Sequence, residues 1–349
     1  MSAQDTMTVA DLGEFGLIDH LRAALPASVR ETAAVGVGIG DDAAIWTPTA
    51  GAPSVVTSDA LVEGMHFRLD WTDWWSLGFK SLAVNLSDLA AMGATPRLAT
   101  ISLGLRGTER VADLEAMYQG VGELAVAHGV AIAGGDIVRS PERLLISVTA
   151  IGEVIGHAPL RRDGARVGDV ICVSGTLGAS GAGLAILADP ERFAGLTTTG
   201  LLVAAHLRPN PRITLGKVLG EIGATSAMDL SDGLVGDLPK ILRASGVGAR
   251  IDAGAIPVAP ALRALFPDEA WLELALRGGE DYELLFTLPR DLVEPTRQRA
   301  EAIGATVTPI GEVIPADEGF LLTDLSGTTS PVTPGAWDGL TSRAAREGK

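Results

Sequence analysis

The chain of 349 residues has little of what staples, anchors or carries nucleic acid: one cysteine, two tyrosines, and 27 Lys and Arg against 43 Asp and Glu. A lone thiol, Cys172, excludes an intrachain disulfide and any CxxC metal site, and its place in the apolar run 170–173 reads as a buried structural residue. The formal net charge of −16 disfavours a nucleic-acid partner, because gripping a phosphate backbone takes a basic face. Hydrophobic residues make up 47%, yet Asp, Glu, Arg or His breaks every long apolar stretch before the roughly 18 residues that a membrane helix needs. No membrane partner is expected. The opening MSAQDTMTVADLGEFG is acidic and lacks the basic and apolar regions of a secretory signal, so a cytoplasmic location is expected. Also missing are the Gly-x4-Gly-Lys-Ser/Thr stretch of a P-loop, the Gly-x-Gly-x-x-Gly of a dinucleotide fold and a Gly-x-Ser-x-Gly nucleophile elbow.

What is present has the rhythm of a mixed α/β protein. Val-, Ile- and Ala-rich segments, read as strands over 54–58, 98–105, 130–133, 144–153, 169–174, 249–252, 282–287 and 306–313, alternate with helical periodicity over 9–24, 74–92, 111–128, 177–189, 211–221, 234–245 and 292–303. In the second helix, Phe79, Leu82, Ala83, Leu86, Leu89 and Ala90 form one apolar stripe. The length exceeds one hydrophobic core, and the turn-rich stretch GHAPLRRDGARVGD begins at 156, so two domains are expected, 1–156 and 157–349.

Carboxylates recur just past apolar runs, beside Gly, Ser or Thr. Six clusters stand out: Gly38-Ile39-Gly40-Asp41-Asp42, Thr57-Ser58-Asp59, Asn85-Leu86-Ser87-Asp88, Gly134-Gly135-Asp136, Asp229-Leu230-Ser231-Asp232-Gly233 and Gly278-Gly279-Glu280-Asp281. Carboxylate and hydroxyl oxygens are hard ligands that suit Mg²⁺, whereas thiolate and imidazole suit zinc or copper. Glycine beside an acid lets the backbone come close to phosphate oxygens. Phosphoryl transfer asks mainly for positioning and charge neutralisation, which clustered acids holding several metal ions can supply. Taken singly, each cluster also fits something plainer. Gly-Asp-Asp is a common turn, Ser231 and Asp232 suit a helix N-terminus, and Asp88 could be a solvated charge on a helix face. It is their combination in one chain that favours a metal-assisted reaction.

In chain order, GIGDDAAIW, TSDALVEGMHF, KSLAVNLSDLAAMGATP, GGDIVRS, HLRPNPR, DLSDGL and RGGEDYELLFT resemble the motif series of the thiamine-monophosphate kinase family, and the resemblance extends over 38–337. That family is similar in turn to aminoimidazole-ribotide synthetase, selenophosphate synthetase and a hydrogenase-maturation protein, all of which bind ATP without a P-loop. The resemblance implies a two-domain α/β (α+β) fold: an N-terminal ATP- and metal-binding domain whose sheet pairs across a homodimer, and a C-terminal α/β domain that closes the site. It implies ATP and thiamine monophosphate as partners, several Mg²⁺ ions, and in-line attack of the substrate phosphate on the γ-phosphorus with no covalent enzyme intermediate.

Position by position, the resemblance makes Asp42, Thr57, Ser58, Asp59, Asp88, Asp136, Asp229 and Asp232 metal ligands, with Asp42, Asp88 and Asp232 central to catalysis. It assigns Tyr118, Gly135, Asp136, Arg162 and Ser231 to the nucleotide and His66, Glu280 and Trp337 to the substrate. Ser58 stands where the family carries Thr, which keeps the hydroxyl. An aromatic face and an acid are what a cationic thiazolium and its aminopyrimidine would want. On their own, His66 fits an ordinary loop residue and Trp337 a core cover. Trp71, Trp74 and Trp75 read as packing or interface.

A synthetase or dehydratase of the wider superfamily is the nearest rival. Selenophosphate synthetase would carry a reactive cysteine near its N-terminus and the maturation protein one at its C-terminus; neither stands here. A non-catalytic acidic scaffold would show gaps in the acid set, and there are none.

Overall fold

The computed structural model describes residues 6–333 apart from 31, 33 and 268. The chain divides into two compact units, one formed by Met1–Leu89 and Ala94–Ile155, the other by Ala90–Gly93 and Gly156–Lys349.

The first unit runs α1 (Val9–Ala24), α2 (Ala27–Arg30), β1 (Val35–Val37), β2 (Ile45–Trp46), β3 (Ser54–Val62), α3 (Trp74–Ala91), β4 (Thr95–Leu105), α4 (Val111–His128), β5 (Ala131–Arg139) and β6 (Leu145–Glu153). Its four-stranded sheet has the order β3-β6-β4-β5, with β6 antiparallel to both neighbours and β4 parallel to β5. Along β6 the burial alternates, with Ile146, Val148 and Ala150 inside and Ser147, Thr149 and Ile151 half-exposed, as expected of a sheet with one packed face.

Helix α3 departs from the amphipathic expectation, because Lys80, Ser81, Asn85 and Ser87 are buried along with the apolar stripe. Local bonds make this tolerable: Ser81 Oγ donates to Gly78 O at 2.8 Å and Asn85 Nδ2 to Ser81 O at 3.1 Å. The helix also touches α4 backbone to backbone. A Cβ on Gly78 would lie 1.8 Å from Met117 O, and one on Gly120 would lie 2.0 Å from Trp75 O. Helix α1, expected as continuous, breaks at Gly13, whose φ of 70° is left-handed.

The second unit is built on a seven-stranded sheet, β13-β12-β9-β11-β7-β10-β8. Its strands are β7 (Val170–Ser174), β8 (Ser226–Asp229), β9 (Gly248–Asp252), β10 (Leu284–Leu288), β11 (Val307–Ile314), β12 (Phe320–Thr323) and β13 (Thr329–Pro331). Its helices are α5 (Ala179–Ala188), α6 (Thr199–Leu207), α7 (Ile213–Ile222), α8 (Leu234–Ser245), α9 (Pro260–Leu265), α10 (Ala270–Arg277) and α11 (Val293–Glu301). Strands β7 and β10 are buried at every residue, and Cys172 sits opposite Phe286 in their ladder. Burial pushes that thiol up to about 12, in keeping with an inert core residue.

Several expected boundaries move for identifiable reasons. Strand β10 starts at Leu284 rather than 282, since Glu280 and Tyr282 adopt φ of 64° and 51°, outside extended geometry. Strand β3 continues past residue 58 to Val62, so Thr57, Ser58 and Asp59 lie within it rather than at its end. Strand β5 likewise runs through Gly134, Gly135 and Asp136. The short elements β1, β2, β8, β12, β13, α2, α6, α9 and α10 are too brief or too uniformly apolar for periodicity to mark them.

Candidate functional site

In the first unit the acids gather where β3 meets α3. Alternation along β3 directs Thr57 and Asp59 to one side and Ser58 to the other. Thr57 Oγ1 donates a hydrogen bond to Asp88 Oδ2, and the Asp59 backbone N–H donates to Asn85 Oδ1 at 3.0 Å. Asn85 and Asp88 lie at helical spacing, so one face of α3 presents polar groups toward this strand. Burial, and secondarily the negative charge of Asp88, pushes Asp59 up to about 6. Two carboxylates held this close repel unless a cation or a proton lies with them.

Ser58 instead faces Val148 O, 3.2 Å from its Oγ, and Thr149 Oγ1 at 3.0 Å. Asp136 pairs in register with Ser102, which pairs with Ser147 and through it with Ala60, so Asp136 shares the sheet face of Ser58. It also stands on the edge strand opposite β3, and one chain therefore does not bring Asp136 to Asp59 by way of this sheet. Gly135 is required by the sheet itself, as a Cβ there would lie 1.8 Å from Ile101 O. Asp42 is exposed, with its N–H on Asp41 Oδ1 at 2.8 Å. His66 follows β3 in a turn, its Nδ1 accepting from Val62 N at 3.1 Å. Tyr118 lies inside α4, 6% exposed, and burial pushes its phenol up.

In the second unit two motif loops are pinned to each other. The loop after β8 (Leu230-Ser231-Asp232) receives hydrogen bonds from the loop before β10: Glu280 N donates to Ser231 O at 2.8 Å and Tyr282 N to Leu230 O at 2.9 Å. The glycines here serve this close contact, since a Cβ on Gly279 would lie 2.6 Å from Ser231 O and one on Gly233 would lie 2.8 Å from Arg277 C. Asp229, 5% exposed, ends β8 opposite Leu284. Lys240 Nζ, nearly two turns into α8, bridges Asp232 Oδ2 at 2.6 Å and the fully buried Asp237 Oδ1 at 2.7 Å.

A second layer holds the Glu280 loop from behind. Asp281 accepts from Gly178 N at 2.6 Å and Ser180 N at 3.1 Å at the start of α5. Burial pushes Asp281 up to about 7 against those donors. His206 Nδ1 lies 3.0 Å from Ser180 Oγ and 3.5 Å from Glu280 Oε2. Arg212 clasps Glu283 through two nitrogens. Arg162 is exposed, and its carbonyl accepts from Ser245 Oγ at 2.8 Å. Trp337 lies outside the described residues.

The sequence gives no site role to His206, Arg212, Asp237 or Lys240, and Asn85 and Asp281 stand within the acid clusters without a role of their own. His206 and Arg212 lie in the HLRPNPR segment, and Asp237 and Lys240 follow Asp232 at helical steps, which was the available signal. Among the described residues no three His, Cys, Asp or Glu side chains are already gathered as a metal cage. The donor set nevertheless suits a hard divalent cation, being carboxylate and hydroxyl oxygen throughout, with Asp59 and Asp88 adjacent and mutually repelling.

The family model described as AIR synthase related protein, N-terminal domain, matches residues 40–154, and that described as AIR synthase related protein, C-terminal domain, matches residues 166–324. Thiamine-monophosphate kinase of Bacillus subtilis is 35% identical over 303 residues, covering 86% of this chain and 91% of that protein. The enzyme of that name from Escherichia coli K12 is 42% identical over 277 residues, covering 79% and 83%. Among solved structures, thiamine-monophosphate kinase from Stenotrophomonas maltophilia superposes with a TM-score of 0.79 at 41% identity, over 89% of this chain and 96% of that one. AaThiL, solved with AMPPCP and TMP, superposes with a TM-score of 0.73 at 36% identity, over 95% and 98%.

Proposed function

Because this chain belongs to the AIR synthase related family, and within it to the thiamine-monophosphate kinases, we propose that its acids assemble a magnesium site for direct transfer of the γ-phosphoryl group of ATP to thiamine monophosphate. The observation that carries the proposal is the junction of β3 and α3, where Thr57, Asp59 and Asp88 collect negative oxygen donors on rigid elements.

Asp42, Thr57, Ser58, Asp59, Asp88, Asp136, Asp229 and Asp232 would hold the metal ions, which when bound supply charge neutralisation between two anionic reactants. The remaining work belongs to the chain. Gly135, Arg162, Ser231 and Tyr118 serve the nucleotide, and the Arg162 guanidinium offsets developing charge on phosphate oxygens. His66, Glu280 and Trp337 orient the acceptor. The α3 side chain of Asn85 fixes Asp59, and the clasped loops fix Ser231 beside Glu280.

The acceptor is itself a phosphate, largely ionised at neutral pH, so the protein needs no general base of the kind an alcohol acceptor requires. In the proposed step an acceptor oxygen forms a bond to the γ-phosphorus as the bond to the bridging oxygen breaks, giving thiamine diphosphate and ADP. A homodimer and a cytoplasmic setting complete the proposal.

Direct transfer is tested with ATP made chiral at the γ-phosphorus by sulfur and oxygen isotopes. A single displacement inverts configuration in the product. Retention would require an even number of transfers, hence a phosphoenzyme, and would overturn the proposed step.

A further inference from the structure

Between α1 and the segment that leads from α2 into β1 lies a cleft of about 440 Å³, lined by Arg22, Arg30, Thr32, Gly36 and Gly38 among others. No side chain assigned above to metal, nucleotide or substrate lines it. Its charge runs against that of the chain, which carries a formal −16.

Elsewhere in the first unit most arginines pair with carboxylates, while Arg143 donates to Glu63 O at 2.9 Å and Arg139 is exposed. Arg68 pairs with Asp70, Arg97 with Glu153, Arg106 with Glu63 and Glu109, and Arg110 with Asp113. Arg22 and Arg30 form no ion pair among the described residues, and no carboxylate among those residues lines the cleft. Arg30 Nε is buried with no hydrogen-bond partner. A buried donor on a charged group that stays unpaired is costly, so among the described residues the arrangement leaves room for an acceptor that they do not supply.

The walls fit an anion with several oxygens. Two guanidiniums present planar forks that match phosphate oxygens, and they repel cations. Thr32 adds a hydroxyl. Gly36 and Gly38 leave the backbone open: a Cβ on Gly36 would find nothing nearer than Ile45 O at 3.9 Å, and one on Gly38 nothing nearer than Arg30 O at 3.6 Å. Gly40, with φ of 120°, comes within reach of the same cation, as a Cβ there would lie 3.8 Å from Arg22 Nη1. The volume falls in the range of small-ligand sites, roughly 300–1,000 Å³, and holds a phosphate or a diphosphate with room for water.

We propose that the Arg22–Arg30 cleft binds a phosphate-class anion, either the free ion or the phosphate end of a phosphorylated small molecule. The inference rests on the first unit alone and stands whether or not the chain phosphorylates thiamine monophosphate.

The test uses the full-length protein with chelator and without nucleotide, so that anions are not captured through metal. Inorganic phosphate and diphosphate are titrated separately by calorimetry at constant ionic strength, with the wild type and with Arg30→Met and Arg22→Met, whose folding is checked by circular dichroism. The expected result is saturable binding of at least one anion, weakened about tenfold or more by either substitution. Tighter binding of diphosphate points to a phosphorylated ligand, and equal binding to the free ion. Arg22 is on the exposed side of α1, so its variant answers the question even if Arg30→Met fails to fold. No saturable binding by the wild type, or binding that folded Arg22→Met fully retains, overturns the proposal.

Discussion

Lys240 Nζ stands 2.6 Å from Asp232 Oδ2 and 2.7 Å from Asp237 Oδ1, so one cation serves both the proposed metal ligand and a carboxylate with no exposure to solvent. Burial raises Asp237, and the lysine pulls it back down. Asp237 Oδ2 also accepts the Asp232 N–H at 2.8 Å, which fixes the loop that carries Asp232.

Replacing Lys240 by Met should therefore act on stability as well as on the site. Removal of one partner leaves a buried charge unmatched, and the loss should be about 2–4 kcal/mol in urea denaturation. Adding Asp237→Asn to the variant should recover part of it. A double variant no more stable than Lys240→Met alone would show that the ion pair is not what is being lost.

Asp88→Asn deletes an anionic ligand while keeping shape, and it relieves the repulsion that adds to burial in raising Asp59. Stability should change by less than about 1 kcal/mol, whereas kcat should fall on the order of 100-fold or more. Thr57→Val, which removes the hydroxyl that donates to Asp88, should lie between the wild type and Asp88→Asn. Near-normal turnover in Asp88→Asn would mean that Asp88 is only a structural acceptor for Thr57.

Asp281 should give the protein a characteristic response to pH. Burial pushes its carboxyl up to about 7 in the folded chain from the ordinary 3.8, so between those values the folded state holds a proton that the unfolded state has released. Stability from this group is complete below about pH 4 and is lost as pH rises toward about 7. Comparing urea midpoints of the wild type and Asp281→Asn across that window isolates the contribution: the two should be most alike at the acid end, and the wild type should lose stability relative to Asp281→Asn as pH rises toward about 7. A gap independent of pH would show that Asp281 is ionised throughout.

Long periodic elements were legible in the sequence, and α4 and α8 run over the ranges that their periodicity indicates. The acid clusters were legible as a set, because six carboxylate motifs beside Gly, Ser or Thr exceed what turns alone demand. What the sequence concealed was contact. Nothing in the pattern of α3 distinguishes Asn85, which is fully buried and bonded to the Asp59 N–H, from a polar residue at the surface. Gly135, Gly233 and Gly279 read as openings for phosphate, yet their neighbours are Ile101 O, Arg277 C and Ser231 O, so their first duty is to let one strand or loop touch another. Adjacent letters in Thr57-Ser58-Asp59 turned to opposite faces once the segment proved to be mid-strand. Lys240 became visible only when α8 brought it back over Asp232.

The most direct measurement of the central claim is a chromatographic assay of the purified protein with ATP, Mg²⁺ and thiamine monophosphate, run beside free thiamine, selenide and formylglycinamidine ribotide. Thiamine monophosphate should be converted to the diphosphate with one ADP formed per product. Free thiamine should react poorly, since its neutral alcohol offers neither the charge that the acids and metals are arranged to receive nor the reach of a phosphate. If thiamine monophosphate is recovered unchanged while one of the other acceptors is consumed, the kinase assignment is contradicted.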